Sequence, residues 1–175
     1  MRHQVFSHDF FMDCALREAE EALSRGEFPV GCVIAIGNEI VARGGRRDSA
    51  GNAPELEHAE IVAIRRLMRE KPGFDPARLV VYSTMEPCLM CLSTLLVNGC
   101  RQIVYAYEDV MGGAVNLPLE RLRPLYKNMR LAVIGGVRRG QSLTLFQRFF
   151  AARPAYLRGS LLAEYTLAQK EEQTL

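Results

Sequence analysis

The sequence predicts an α/β fold, a sheet sandwiched between helix layers, and three observations predict it. Residues 9–25 carry apolar side chains at helical spacing, residues 29–42 carry apolar runs on either side of a tight turn, and from residue 58 onward helix and strand patterns alternate. A helix with one apolar stripe must bury it, and alternating helices and strands do so by covering both faces of a sheet through crossovers. Parallel strands are therefore expected in the second half of the sheet.

Along the chain, Met12, Ala15, Leu16, Ala19, Ala22 and Leu23 fall on one face of a first helix, with Asp9 placed to cap it and Gly26 to stop it. Pro29–Ile36 is continuously apolar and rich in β-branched residues, as a buried strand is, and Gly37-Asn38 turns the chain into a second strand at Glu39–Ala42. Residues 44–57, rich in Gly, Arg, Asp, Asn and Pro, form a loop that delivers the chain to His58. A helix over 58–70 buries Ile61, Ala63, Ile64 and Leu67 and ends before Lys71-Pro72-Gly73, which cannot continue it. Leu79–Ser83 is a strand, Thr84–Pro87 a loop, and Cys88–Val97 an apolar helix closed by Asn98-Gly99. A strand at Arg101–Tyr107, a loop with Gly112-Gly113, a short helix at Leu119–Tyr126, a strand at Leu131–Ile134 and a helix over about 141–152 follow. Arg153-Pro154 interrupts the pattern, so residues 1–153 read as one domain and 154–175 as a helical extension, with its helix at Ser160–Gln169.

With 175 residues, 49% of them hydrophobic, the chain encloses one core. No apolar run approaches the roughly 20 residues of a membrane span, and residues 1–10 lack a basic-then-apolar signal pattern, so a cytoplasmic protein is expected. A net charge of +2, from 22 basic and 20 acidic residues, makes no electrostatic case for general nucleic-acid binding. Arg46–Arg47, Arg65–Arg66 and Arg138–Arg139 read as solvated positions or local phosphate contacts. Five cysteines, an odd number, argue against a disulfide framework. Cys14, Cys32 and Cys100 fit small buried hydrophobes, and only Cys88 and Cys91 have ligand spacing.

Two short pieces carry chemistry: His58-Ala59-Glu60 at the start of one helix, and Pro87-Cys88-Leu89-Met90-Cys91 at the start of the next. Cysteines three apart on a helical turn share a face, so both sulfurs can reach one ion, but two thiolates leave zinc short of ligands. Taken alone, the pair also fits a redox couple or half of a structural zinc site. A strand crossover brings the His58 helix beside the Cys helix, and three protein ligands leave a fourth tetrahedral position for water, the arrangement of a catalytic zinc. Helix N-termini favour the thiolates, and Pro87 suits a helix start. Zinc can lower the pKa of water from about 15.7 to about 7. Glu60, two residues past His58, is placed to move protons between that water and a substrate.

These residues resemble the cytidine deaminase-like superfamily of zinc deaminases, whose signature is H-x-E…P-C-x-x-C. Glu27-Phe28-Pro29-Val30-Gly31, His58-Ala59-Glu60-Ile61, Met85-Glu86-Pro87-Cys88-Leu89-Met90-Cys91 and Phe149-Phe150 point to the branch of tRNA adenosine deaminases and guanine deaminases, over residues 8–153. The resemblance implies a five-stranded mixed sheet in a three-layer α-β-α sandwich and hydrolytic release of ammonia from a nucleobase or nucleoside. It also implies a Zn2+ cofactor on His58, Cys88 and Cys91, Glu60 as acid/base, and a homodimer. By carry-over, Ala59 and Cys88 place backbone N–H groups near the reacting carbon, and Pro29, Val30 and Pro87 border the base pocket. The family commonly has an asparagine after its second strand that reads the base or ribose. Here Gly45, Arg46 and Arg47 occupy that stretch, and Asn52 substitutes only through a rearranged loop. The frequent Asp-Pro-Thr before the histidine is replaced by Pro54-Glu55-Leu56-Glu57. Glu55 and Glu57 would repel an RNA backbone while Arg46 and Arg47 would attract a phosphate, so a small-molecule substrate stands slightly ahead of tRNA.

Overall fold

In the computed structural model, which describes residues 6–49 and 55–170, the strands are β1 (Gly31–Ile36), β2 (Glu39–Gly45), β3 (Leu79–Met85), β4 (Gln102–Tyr107) and β5 (Ala132–Ile134). They form one sheet in the order β2-β1-β3-β4-β5. β1 pairs antiparallel with β2 and β3, whereas β3–β4 and β4–β5 are parallel, as the alternation of patterns predicts. Gly37, at φ +57°, makes the hairpin turn between β1 and β2, a conformation that costs glycine nothing.

Helices cover both faces. Val33 and Ala35 of β1, with Tyr82, Val104 and Ala106, pack against α1 (His8–Ser24). Cys32 and Ile34, with Val81 and Ile103, turn to α2 (Ala59–Glu70) and α3 (Leu89–Val97). This is the strand period of two, with consecutive residues of β1 serving opposite cores. The three-layer sandwich and its five-stranded mixed sheet are thus present. Cys14, Cys32 and Cys100 are buried free thiols, as expected of small hydrophobes.

Element ends differ from the sequence reading where local chemistry overrides pattern. Ser7, not Asp9, caps α1: its hydroxyl accepts the Phe10 N–H at 3.3 Å, and Asp9 lies in the first turn, where its charge suits the helix dipole. β3 runs on through Thr84 and Met85, because Met85 pairs with Tyr107 and the Thr84 hydroxyl accepts the Gly31 N–H at 3.0 Å. The helix expected at Leu119–Tyr126 is split into a 3-10 turn, Leu119–Arg121, and α4, Pro124–Lys127, because Pro124 has no N–H with which to continue the first turn. α5 (Arg139–Ala152) begins earlier than residue 141.

Two glycines set how closely helices approach the hairpin. A Cβ on Gly31 would lie 2.1 Å from the Ala15 carbonyl oxygen, and one on Gly44 would lie 2.4 Å from that of Ala59 and 2.7 Å from the Ala63 nitrogen. α1 and α2 therefore rest directly on strand backbone. The last helix, α6 (Leu161–Ala168), adds Leu162 and Ala163 to the larger core, and Thr166 meets the Tyr107 hydroxyl at 3.1 Å. Among the described residues no helix is long and apolar enough to cross a membrane.

Because the α2 backbone abuts Gly44, Gly44→Ala should cost about 1–3 kcal/mol, a fall in Tm of roughly 2–10 °C by thermal denaturation. An unchanged Tm would mean that α2 is free to shift away from β2.

Candidate active site

His58 and Cys88 stand at the N-caps of α2 and α3, both with extended backbone, and neither side chain caps its own helix. Both are therefore free to turn toward a common centre. His58 Nδ1 lies 3.6 Å from Cys88 Sγ, and Cys91, one turn into α3, completes a cluster whose ligand atoms all lie within 4.8 Å of one another. Zinc bonds of about 2.0–2.3 Å in a tetrahedron put ligand atoms about 3.5 Å apart, so a slight contraction of this cluster would accommodate the ion.

The proton arrangement of the thiols agrees. The Cys91 thiol donates toward Cys88, and this bond, opposed by burial and aided by His58, draws the Cys88 thiol down to about 4. The same bond, with burial and the nearby Glu60 carboxylate, pushes the Cys91 thiol up. The one thiol proton, on Cys91, is then shared between Cys88 and the Glu60 carboxylate, and a dication would displace it. Two soft thiolates and one imidazole form a donor set that suits zinc and leaves one position open.

Glu60, only 3% exposed, lies against this cluster. Its Oε1 accepts the Ser83 hydroxyl at 3.1 Å and its Oε2 accepts from Cys91 Sγ at 3.5 Å. Burial raises its carboxyl above the ordinary range, with the Cys88 charge adding and its own backbone N–H, His58 and Ser83 opposing. A buried carboxyl beside a metal site and able to hold a proton is what acid/base transfer needs.

A cavity of about 210 Å³ opens onto His58, Glu60 and Cys88. Val30, Ala59 and Arg46 line it, and Cys91 is fully buried. Pro29 and Pro87 adjoin wall residues without being part of the wall, and Asn52 lies outside the described residues. Arg46 is not the solvent-facing phosphate contact its Arg-Arg sequence suggests, for it is 3% exposed and paired with Glu55. The other arginine pairs also meet acids: Arg65 reaches Glu57 at 2.8 Å, Arg138 reaches Asp13 at 2.9 Å and Arg139 Nε reaches Glu108 at 2.8 Å.

Sequence reasoning missed two groups of wall residues. Tyr156, Leu157 and Leu162 come from the segment after Arg153, and no local signal connects that segment to His58. Glu86 and Asp109 are two acids that also line the cavity. Glu86 accepts the N–H groups of Asp109 at 3.2 Å and Val115 at 3.4 Å, and its carboxyl fills the space a Cβ on Gly113 would need. It thereby shapes the loop at 109–115, and its position directly before Pro87-Cys88 was the available hint.

Residues 6–107 match the family model of the cytidine and deoxycytidylate deaminase zinc-binding region. The chain belongs to this family. It is 32% identical to a tRNA-specific adenosine deaminase of Agrobacterium fabrum over 145 residues, 80% of this chain and 91% of that one. A solved structure from studies of A-to-I editing by tRNA:A34 deaminases at the wobble position superposes with a TM-score of 0.68 at 30% identity, over 78% of this chain and 98% of the other. Guanine deaminase from Bacillus subtilis superposes at 0.54, also 30% identical, over 59% and 66%. This deaminase is accordingly a zinc enzyme that hydrolyses a C–N bond, with His58, Cys88 and Cys91 positioned to hold the metal.

With only two ligands left, Cys91→Ala should weaken zinc binding by at least about 100-fold, read as loss of zinc from the purified protein by elemental mass spectrometry. Full zinc occupancy in that variant would remove Cys91 from the ligand set.

Proposed function

We propose that this deaminase acts on the exocyclic amino group of a small free nucleobase or nucleoside. The observation that carries this reading is the cavity's lining, which Tyr156, Leu157 and Leu162 of the segment after Arg153 join, with a volume of about 210 Å³ that suits one bicyclic base. In this reading the residues from 154 onward are an extension added to a deaminase domain of residues 1–153, with roofing the pocket as its task. Glu55, Glu86 and Asp109 around the same space disfavour a polyanion.

Zinc, when bound, supplies an acidified water as nucleophile. Glu60 takes one proton of the attacking water and hands it to the ring nitrogen beside the amino-bearing carbon, then takes the proton of the added hydroxyl and gives it to the amino group, which leaves as ammonia while the carbon keeps an oxo group. Ser83 orients that carboxyl, and the buried cavity keeps its proton from exchanging with bulk water. Val30 and Ala59, with Pro29 and Pro87 supporting the wall, hold the base flat against the metal ligands.

A second reading, deamination of adenosine within tRNA, is favoured by the names of relatives such as the Agrobacterium fabrum protein. Ammonia release from guanine, adenine, cytosine and their nucleosides, set beside inosine formation in total tRNA by mass spectrometry, separates the two. The first reading expects turnover of a free base or nucleoside and none in tRNA, and the reverse result replaces it. Glu60→Ala should cut kcat by about 100-fold to 10,000-fold with zinc retained, and turnover near the wild-type rate would exclude Glu60 as proton carrier. The reading also includes a homodimer working in the cytoplasm, supported by Leu89 and Met111, exposed apolar side chains beside the site. Sedimentation equilibrium should return twice the chain mass, and a monomer at micromolar concentration would end that part.

A further inference from the structure

The segment Glu86–Cys88 is joined to the loop over 109–115 by backbone and by one side chain. On the backbone, the Ala114 N–H donates to the Pro87 carbonyl at 3.1 Å, and Cys88 forms an isolated β-bridge with Gly113. The side chain is that of Glu86. One carboxylate oxygen accepts the Asp109 N–H at 3.2 Å and the other accepts the Val115 N–H at 3.4 Å, so the group spans the loop from end to end. Within the loop, Asp109 Oδ1 accepts the N–H groups of Met111 at 3.0 Å and Gly112 at 2.9 Å.

Gly113 makes room for the carboxylate. A Cβ there would lie 2.4 Å from Glu86 Cδ and 2.5 and 2.6 Å from its two oxygens. The Gly113 backbone is not left-handed, so close approach, and not conformation, is what this glycine supplies. Asp109 and Met111 of the loop line the cavity, and Cys88 across the bridge is a positioned metal ligand. The carboxylate therefore stands where the metal-ligand segment and the cavity lining meet.

We infer that Glu86 is a positioning residue for the deamination: its carboxylate holds the 109–115 loop against the Cys88 segment and so keeps Asp109 and Met111 in the cavity lining. The metal ligands are His58, Cys88 and Cys91, and the loop supplies none. Its placement accordingly governs how tightly substrate is held, and leaves the rate of the bound substrate nearly untouched. The inference is independent of whether the base is free or part of tRNA, since either reaches the metal ligands past the same lining.

Three variants of the zinc-loaded enzyme test it. Glu86→Ala removes both acceptors, and Glu86→Gln keeps one while turning an amide donor toward the second N–H. Gly113→Ala displaces the carboxylate, the end of a flexible side chain, and leaves it otherwise intact. With the best substrate among free bases, nucleosides and an anticodon stem-loop, Glu86→Ala should raise KM at least about tenfold, with kcat within about threefold of wild type. Glu86→Gln should fall between the two. Glu86→Ala and Gly113→Ala remove one contact from its two sides, so the double variant should be no worse than the poorer single one. By NMR-detected hydrogen exchange, protection of the Asp109 and Val115 amides should drop at least about tenfold in Glu86→Ala while β3 and β4 keep theirs. A residue that only stabilises the fold would lower the active fraction, and hence kcat, at constant KM. That result, or an unchanged KM, overturns the inference. So does a raised KM with both amides still protected, because Glu86 would then touch substrate itself. Should Glu86→Ala fail to fold by circular dichroism, Glu86→Gln and Gly113→Ala decide on the same two readouts.

Discussion

The meeting of His58 Nδ1 and Cys88 Sγ at 3.6 Å is the constraint around which the rest of the molecule is arranged. It requires two helix N-termini to face each other, and each cap residue to leave its helix uncapped so that its side chain is free for the metal. Helices begun without a capping side chain lose about 1 kcal/mol each, and their positions must be secured elsewhere. The sheet does this. α2 is seated on the Gly44 backbone, and α3 follows β3 directly, with the strand extended to Met85 by its pairing to Tyr107.

Around that contact the polar groups fall into two kinds. Glu60 and Glu86 are held by hydrogen bonds on their oxygens: Ser83 and Cys91 for the first, backbone N–H groups of the 109–115 loop for the second. Their positions are fixed before a substrate arrives, and such preorganisation is what catalysis in a buried site draws on. Arg46 is the exception, enclosed but only partly paired. The two carboxyls are thus satisfied within the chain, whereas part of the Arg46 guanidinium is not.

The aromatic segment that follows α5 links this pocket to the larger core. Phe28 stacks on Tyr156 with centroids 5.5 Å apart and meets the rings of Phe146 and Phe149 at 5.1 and 5.2 Å. The residue two positions before Val30 is thus packed against the segment that joins the cavity's lining. Pocket shape and terminal-segment packing are consequently one property, carried by dispersion and area burial rather than by a hinge.

By itself the sequence determined the chemistry. Ligand types, the spacing of Cys88 and Cys91, and Glu60 two residues from His58 are local facts, and the helix and strand periods that carry them were legible because each repeats within a few residues. The tertiary structure alone decided the surroundings: that Arg46 is enclosed, that Glu55 meets it, and that Tyr156 and Leu162 face His58. Whether an arginine after β2 points to water or inward depends on what packs over it, and here the covering residues lie about a hundred positions away, so no local pattern could reveal them. Metal chemistry is written in side-chain identity; selectivity is written in burial, which only the folded chain possesses.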